Sequence, residues 1–403
     1  MDTLVPAVFV IVYLGMIFGR IPGLALDRTG VALLGAIVLL AFARVTVTDL
    51  PAAVDIPTIS LLFGLMVLSA QFRLAGAYSY LIRRIGTIQI APPLLLGVVI
   101  GIVALLSAVL VNDVICLAAA PVLIEACARR KLNPVPFLLA LAAASNIGSA
   151  ATLIGNPQNI LIGQALHLSF SHYLLWSLPP VLLGLALLWL IVWRQYRTDW
   201  SAAEDLPSVE TIPFSVWQSA KGTVVTIVLF LLFLVTPLPR DLVALAAAGL
   251  LLLSRKLRSR EILGLIDWQL LVLFVSLFVV NFALGKSGLT ALTVHYLATV
   301  GIDIGNPAWL FAGSAVLSNI VSNVPATMLL LPYANDPIAG PALALSSTLA
   351  GNLIVVGSIA NIIVLEQASR LGVSISWRTH ARTGVPVTLA TLAVAAAWLQ
   401  VIG

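Results

Sequence analysis

The chain has 403 residues, of which 61% are hydrophobic and only 9% charged. Soluble domains carry about 25% charged residues, so a water-soluble globule is excluded and most of the chain is expected in lipid. The net charge of +5 has meaning only through where the charges lie. Cys116 and Cys127 fall inside one hydrophobic stretch, which excludes a disulfide framework.

The first apolar run, 4–18, is preceded by Asp2, and its first basic residue, Arg20, comes after it. That order is unlike a cleavable signal and predicts a membrane helix that starts outside. Helices follow near 31–44 and 57–72. The segment 73–90 reads as an interfacial helix leading to an apolar hairpin at 93–128 with Asn112-Asp113 at its middle. A span at 133–166 carries Ser145-Asn146-Ile147-Gly148 and then Gly155-Asn156-Pro157-Gln158-Asn159, and a last span covers 173–193. The one long polar stretch, 194–221, holds Asp199, Glu204, Asp205, Pro207, Glu210 and Pro213 and reads as a cytoplasmic linker.

The second half repeats this order. Spans are expected near 222–237, 241–253 and 268–285, with an interfacial segment at 290–300. A hairpin at 303–335 has Ser322-Asn323 at its middle and Ser318-Asn319 nearby. The span at 341–368 carries Gly351-Asn352 and Gly357-Ser358-Ile359-Ala360-Asn361, and 384–401 closes the series.

The two halves match in register at an offset of 210–212 residues: Val31-Ala32-Leu33 with Val243-Ala244-Leu245, Asp55 with Asp267, Phe63 with Phe274, Pro121 with Pro332. Internal duplication in so apolar a chain is the mark of a secondary transporter whose site lies where the repeats meet. Five crossings per half from an outer N-terminus put 18 of the 21 basic residues inside, all but Arg44, Arg240 and Lys286. The positive-inside rule requires such an asymmetry, and an odd number of crossings inverts the second copy. The expected fold is therefore an all-α polytopic membrane protein with two inverted repeats of about five transmembrane helices each. Every repeat adds one re-entrant helical hairpin and one discontinuous helix, with a first repeat at 1–195, a linker at 196–221 and a second repeat at 222–403. Charge counting alone leaves open whether the hairpins are re-entrant or full crossings, hence 10 or 14 spans.

Polar groups in hydrocarbon need partners, so intramembrane Asn, Asp and Ser clusters mark sites. The candidates are Asn112 and Asp113 at the first hairpin, and Ser145, Asn146, Gly155, Asn156, Pro157 and Asn159 in the first broken span. Their second-half counterparts are Ser322, Asn323, Gly357, Ser358 and Asn361. Gly and Pro interrupt the helices there. Half-helix N-termini then offer N–H groups to an anion or polar solute, and Asn and Ser oxygens with free carbonyls offer ligands to a small cation. The competing reading, Asn and Ser as glue between helices, does not account for symmetric placement in two copies. Asp113 is the one acid expected at membrane centre. Glu125, Asp336 and Glu366, near span ends, read as solvated, as do His167, His172, His295 and His380; Cys116 reads as a packing residue.

At these residues the chain resembles the ion transporter superfamily, which includes ArsB-type arsenite permeases, NhaD-type antiporters, citrate transporters and dicarboxylate symporters. The matching segments are SNIGSAATLIGNPQNILIG from Ser145, VNDVICLAAAP from Val111, SNIVSNVPATMLLLP from Ser318 and GSIANIIVLEQA from Gly357. The tail SISWRTHARTGVPVTL from Ser374 is closest to the arsenite permease branch. The resemblance implies hairpins that enter without crossing, a scaffold and a moving subdomain, and elevator-like alternating access. Sodium-coupled dicarboxylate members carry Ser-Asn-Thr at both tips. This chain has Asn112-Asp113-Val114 and Ser322-Asn323-Val324 instead, which favours the arsenite branch and proton over sodium coupling.

No nucleotide motif is present: before Gly285-Lys286-Ser287-Gly288, Val280 stands where a phosphate-binding loop needs its first Gly. An intramembrane enzyme would need a nucleophile–base pair or a metal, and no cluster contains His. The expectation is a non-enzymatic secondary transporter of the bacterial inner membrane with both termini outside. It would move a small anion or a metalloid hydroxide of the arsenite or antimonite type on a proton gradient. The alternatives are a cation-coupled carboxylate or citrate-type or inorganic anion symporter, or a sodium–proton antiporter. No cofactor, metal or nucleic acid is expected. The partners are the substrate and the bilayer, with a homodimer and a separate soluble ATPase subunit left open.

Overall fold

The computed structural model describes residues 3–19, 23–201 and 213–402. Asp2, Arg20 and the heart of the expected linker (Glu204, Asp205, Pro207 and Glu210) lie outside the described residues. Among those described, the fold is all-helical, with twenty α-helices, three short 3-10 turns and no strand beyond an isolated bridge between Leu132 and Ser201.

The first half runs α1 (Leu4–Phe18), α2 (Arg28–Ala41), the short α3 (Leu50–Ala53), α4 (Ile56–Leu74) and α5 (Ala77–Gly86). The hairpin α6 (Pro92–Val109) and α7 (Asn112–Arg129) follows, then the broken pair α8 (Pro134–Ser149) and α9 (Pro157–Ala165), and the long α10 (Phe170–Tyr196). The second half repeats the series as α11 (Val216–Val235), α12 (Arg240–Leu252), α13 (Ser259–Leu263), α14 (Trp268–Lys286) and α15 (Leu289–Thr299). It ends with the hairpin α16 (Pro307–Val321) and α17 (Asn323–Leu330), the broken pair α18 (Ala339–Ala350) and α19 (Ile359–Arg370), and α20 (Trp377–Ile402).

Local chemistry sets the same starts in both halves. Asp55 accepts from the Thr58 N–H at 3.0 Å and Asp267 from the Leu270 N–H at 2.9 Å, so the matched aspartates cap α4 and α14. Six helices (α4, α6, α10, α11, α14 and α20) are long and apolar enough to cross a membrane. α20 begins seven residues before the expected 384, because Ser376 Oγ accepts from the Thr379 N–H at 3.1 Å and starts the helix there.

Packing is reciprocal between the halves. α2 lies on α14 and α4 on α12, and α10 packs against its own counterpart α20. Burial is uneven. α18 is buried along its whole length and α8 at every residue but Val135. The outer faces of α11 and α20 expose Val224, Ile227, Leu231, Leu389 and Val401, as lipid contact requires. The two ends of the first hairpin are held together, since Arg130 donates to the Ile88 and Ile90 carbonyls at 3.0 and 2.6 Å. The chain therefore leaves this hairpin beside the point where it entered.

Candidate functional site

The two broken helices meet in one hydrogen-bonded network. Leaving α8, the chain loses helical pairing over residues 150–156, and α9 restarts with Asn156 Oδ1 accepting from the Asn159 N–H at 2.9 Å and Pro157 in its first turn. Ser358 starts α19 in the same way, its hydroxyl accepting from the Ala360 N–H at 3.2 Å. A break inside the buried interior orphans carbonyls, which must find donors where water is excluded. In the first break Asn159 Nδ2 donates to the Ser149 and Thr152 carbonyls at 3.4 and 2.9 Å. In the second Asn361 Nδ2 donates to Gly351 and Ile354 at 2.8 and 3.2 Å. The donor and both acceptors are related by one step of 202 residues. The sequence offset of 210–212 is thus shortened after the hairpins, because the return limb α17 has 8 residues where α7 has 18.

Each break is closed by a side chain from the other half. Asn146 donates to Asn352 Oδ1 at 2.9 Å and Asn361 Oδ1 at 3.4 Å, and accepts from Ser358 Oγ at 2.9 Å. Thr348, 202 residues on, donates to Asn159 Oδ1 at 3.4 Å and accepts from Asn156 Nδ2 at 3.2 Å and Gln158 Nε2 at 3.1 Å. The residues that close the two breaks are thus themselves related by the same step of 202 residues.

Both hairpin tips reach these breaks. The Asn112 N–H donates to the Gly155 carbonyl at 3.3 Å, Asn112 Nδ2 to Asn146 Oδ1 at 3.3 Å, and Ser145 Oγ to the Asn112 carbonyl at 3.2 Å. Gly155 is required, since a Cβ there would lie 2.3 Å from the Ser149 carbonyl oxygen and 2.7 Å from that of Ser107. At the other tip Asn323, its amide turned to pair at both ends, donates to the Ser347 and Gly357 carbonyls at 3.1 and 3.2 Å. Its oxygen accepts from Gln158 Nε2 at 3.2 Å. Ser322 between the two limbs has a φ of +77°, a strained conformation for a residue with a Cβ and one that clusters at functional sites. Four helix N-termini, those of α7, α9, α17 and α19, thus end at one network of amides and hydroxyls.

Asn112, Ser145, Asn146, Gly155, Asn156, Pro157, Asn159, Asn323, Gly357, Ser358 and Asn361 are all buried, and Ser322 and Asp113 are half-buried. Asp113 stands apart from the network. Its carboxylate has no hydrogen-bond partner among the described residues, and it lies in electrostatic reach of Asp267, the cap of α14. Among the described residues no group of three or more His, Cys, Asp or Glu is arranged to hold a metal ion.

Several residues differ from expectation. Glu125 is buried, not solvated, and pairs with Arg129 at 2.7 Å and Arg83 at 3.3 Å. His380 is also buried, because α20 starts early and carries it inward. It lies against the Asn352 backbone, and among the described residues neither ring nitrogen reaches a partner with good hydrogen-bond geometry. In the first half Tyr173 occupies the corresponding place on α10, its hydroxyl donating to the Ala150 carbonyl at 2.8 Å. Gly384, one turn after His380, allows this approach; a Cβ there would come within 2.3 Å of the Asn352 oxygen. Thr348 is absent from the sequence candidates, although it ends a hydroxyl run, Ser346-Ser347-Thr348, inside the expected span 341–368; that run is the signal that could have found it. Asn352 and Gln158 lay within recognised segments, and their bonding across the halves appears only in the structure.

The profile of the citrate transporter family matches residues 13–342, most of the chain. The protein belongs to the citrate transporter family. It is therefore a multi-pass membrane protein of a transporter family. It is 30% identical to a "46 kDa membrane protein" of Mycobacterium leprae over 99% of this chain and 98% of that one. It is 28% identical to the silicon efflux transporter of Oryza sativa subsp. japonica, covering 94% of this chain and 93% of the relative. With the inner membrane protein YbiR of Escherichia coli the identity is 32% over 82% and 84% of the two chains. Among solved structures the YdaH transporter of Alcanivorax borkumensis shares the fold, with a TM-score of 0.57 and 16% identity over 99% of this chain and 97% of that one.

Proposed function

We propose that this member of the family is a secondary active transporter of a small, neutral or singly charged hydroxylated solute, an arsenite or antimonite-type metalloid hydroxide. The observation that carries this is the chemistry of the central network. It contains only amides and hydroxyls (Asn146, Asn156, Gln158, Asn159, Thr348, Asn352, Ser358 and Asn361), and among the described residues no Lys or Arg side chain bonds to it. Multiply charged carboxylates are bound most strongly by Arg or Lys, which are not bonded to this network among the described residues, whereas a neutral hydroxide exchanges hydrogen bonds with it one for one. The rice relative named for silicon efflux agrees with a hydroxide cargo, as does the resemblance to arsenite permeases.

A second reading, a small inorganic or carboxylate anion, is supported by the four helix N-termini that end at the same network and by the family's name. In either case the two halves act as inverted repeats. The hairpins enter without crossing, and the site moves by elevator-like displacement of the hairpins and broken helices against the remainder. Asp113, half-buried and without a hydrogen-bond partner among the described residues, carries the coupling proton, with sodium the less favoured ion. The protein sits in the bacterial inner membrane with 198–220 and 254–261 inside.

Expression in an arsenic-sensitive bacterial strain tests the cargo. Raised arsenite or antimonite tolerance and lower cell-associated metalloid are expected. Unchanged tolerance with confirmed membrane expression overturns the metalloid reading in favour of the anion. Saturable, gradient-driven counterflow in liposomes separates a carrier from a channel of the same fold.

A further inference from the structure

Beside the interfacial helix α5 lies a cavity of about 400 Å³ lined by Arg83, Arg84, Arg129, Arg130, Tyr80 and Glu125, among others. It holds four guanidinium groups and one carboxylate. Glu125, with a side chain only 6% exposed, balances Arg83 and Arg129, and Arg130 is spent on the Ile88 and Ile90 carbonyls. Arg84 forms no ion pair or side-chain hydrogen bond among the described residues, and the Arg83 Nε is buried without a partner. An excess of three positive charges in a pocket at the edge of a bilayer attracts an anion, and planar guanidinium forks match the oxygens of a phosphate.

The surroundings point to where that phosphate comes from. Tyr80 at the pocket is 48% exposed, and Ile88, next in the chain to the lining residues Thr87 and Gln89, is 42% exposed. α6 begins three residues after the lining residue Gln89 and continues outward with an exposed apolar line through Leu94, Gly101 and Leu105. A phosphate head at the arginines therefore has an exposed apolar line for its chains on the helix that follows the pocket in the chain. The counterpart helix α15 (Leu289–Thr299) contains no Lys or Arg, and the pocket at its start holds two basic residues, Arg44 and Lys286, where this one holds four.

We propose that this pocket binds the phosphodiester headgroup of an anionic phospholipid, and so pins the base of the first hairpin to the interfacial helix. On the orientation proposed above this is an inner-leaflet lipid, although the binding itself does not depend on that reading. The site is separate from the central network.

The test is titration of the purified full-length protein in detergent with short-chain phosphatidylglycerol, phosphatidylcholine of matched chains, and sodium phosphate, read as bound adducts by native mass spectrometry. Phosphatidylglycerol is expected to bind well above phosphatidylcholine. Arg84→Ala should weaken it about fivefold, and R84A combined with R129A about thirtyfold, at roughly 1 kcal/mol for each charge. Monodisperse elution of both variants and an unchanged central network, read as retained transport, separate lost binding from lost folding. Equal binding of the two lipids, or wild-type affinity in the double variant, overturns the proposal. Displacement of phosphatidylglycerol by micromolar phosphate assigns the pocket to a free anion and overturns the lipid assignment.

Discussion

Asn146→Ala removes one half of the exchange that closes the two breaks. The side chain makes two hydrogen bonds of 2.9 Å, with Asn352 and Ser358, and two longer ones of 3.3 and 3.4 Å, with Asn112 and Asn361. Side-chain hydrogen bonds between membrane helices average about 0.6 kcal/mol, with a maximum near 1.7. The two short bonds and the weaker contribution of the long ones together give a loss of about 2 kcal/mol, or roughly thirtyfold in the folding equilibrium. Reversible unfolding in mixed micelles measures it. A double-mutant cycle with Ser358→Ala isolates the contact between halves, with an expected coupling of about 1 kcal/mol. Thr348→Val, at the matching position, should lose a similar amount through Asn156, Gln158 and Asn159. A loss below about 0.5 kcal/mol in N146A, or strict additivity with Ser358→Ala, refutes the reciprocal closure of the breaks.

Asp113→Asn should abolish accumulation against a gradient in proteoliposomes while leaving downhill exchange; continued accumulation with unchanged pH dependence would place the coupling proton elsewhere. Single cysteines at Ser201 and Ser259, in a background lacking Cys116 and Cys127, should react with impermeant thiol reagents from the inner side only, and labelling from outside would reverse the orientation. His380→Tyr should place a hydroxyl donor at the Asn352 carbonyl, as Tyr173 does at Ala150, and raise stability by about 1 kcal/mol; a fall would show that the second break is not shaped like the first. Asp49, in the loop after α2, is held down to about 2 by the Thr46 N–H first and then by Lys286, which it meets at 3.1 Å. Its folded-state pKa lies below the unfolded value, so its contribution is complete above about pH 4. That contribution is lost as pH falls toward 2, and Asp49→Asn should flatten this part of an acid-unfolding profile.

The helix breaks were legible because Gly155-Asn156-Pro157 and Gly357-Ser358 combine a residue that tolerates close approach with a capping side chain, a local signal that needs no tertiary context. The tips were legible for a similar reason: Asn112 and Ser322-Asn323 are polar interruptions within otherwise apolar runs. Thr348 was not, because a threonine in a helix normally bonds within its own turn, and its partners are about 190 residues away. His380 misled because it sits between Arg378 and Arg382, a setting that reads as solvated, while only the three-dimensional course of α20 buries it. Glu125 misled in the same way, since its partner Arg83 is 42 residues earlier on α5.

The reciprocal bonding also bears on how the protein is made. A chain emerging from the ribosome completes α8, α9 and α10 before Thr348 and Asn352 exist. Until then Asn146, Asn156 and Gln158 lack the acceptors and donors that the finished molecule gives them. The amino-terminal half is thus inserted with the Gln158 amide and the Asn146 Nδ2 lacking their final partners, while Asn146 Oδ1 and Asn156 keep those within their own half, and the shortfall is costly in lipid. Synthesis of the carboxy-terminal half is consequently the step that matures both halves. Two separately expressed fragments, cut in the segment between α10 and α11, have the same incentive to find each other in the bilayer.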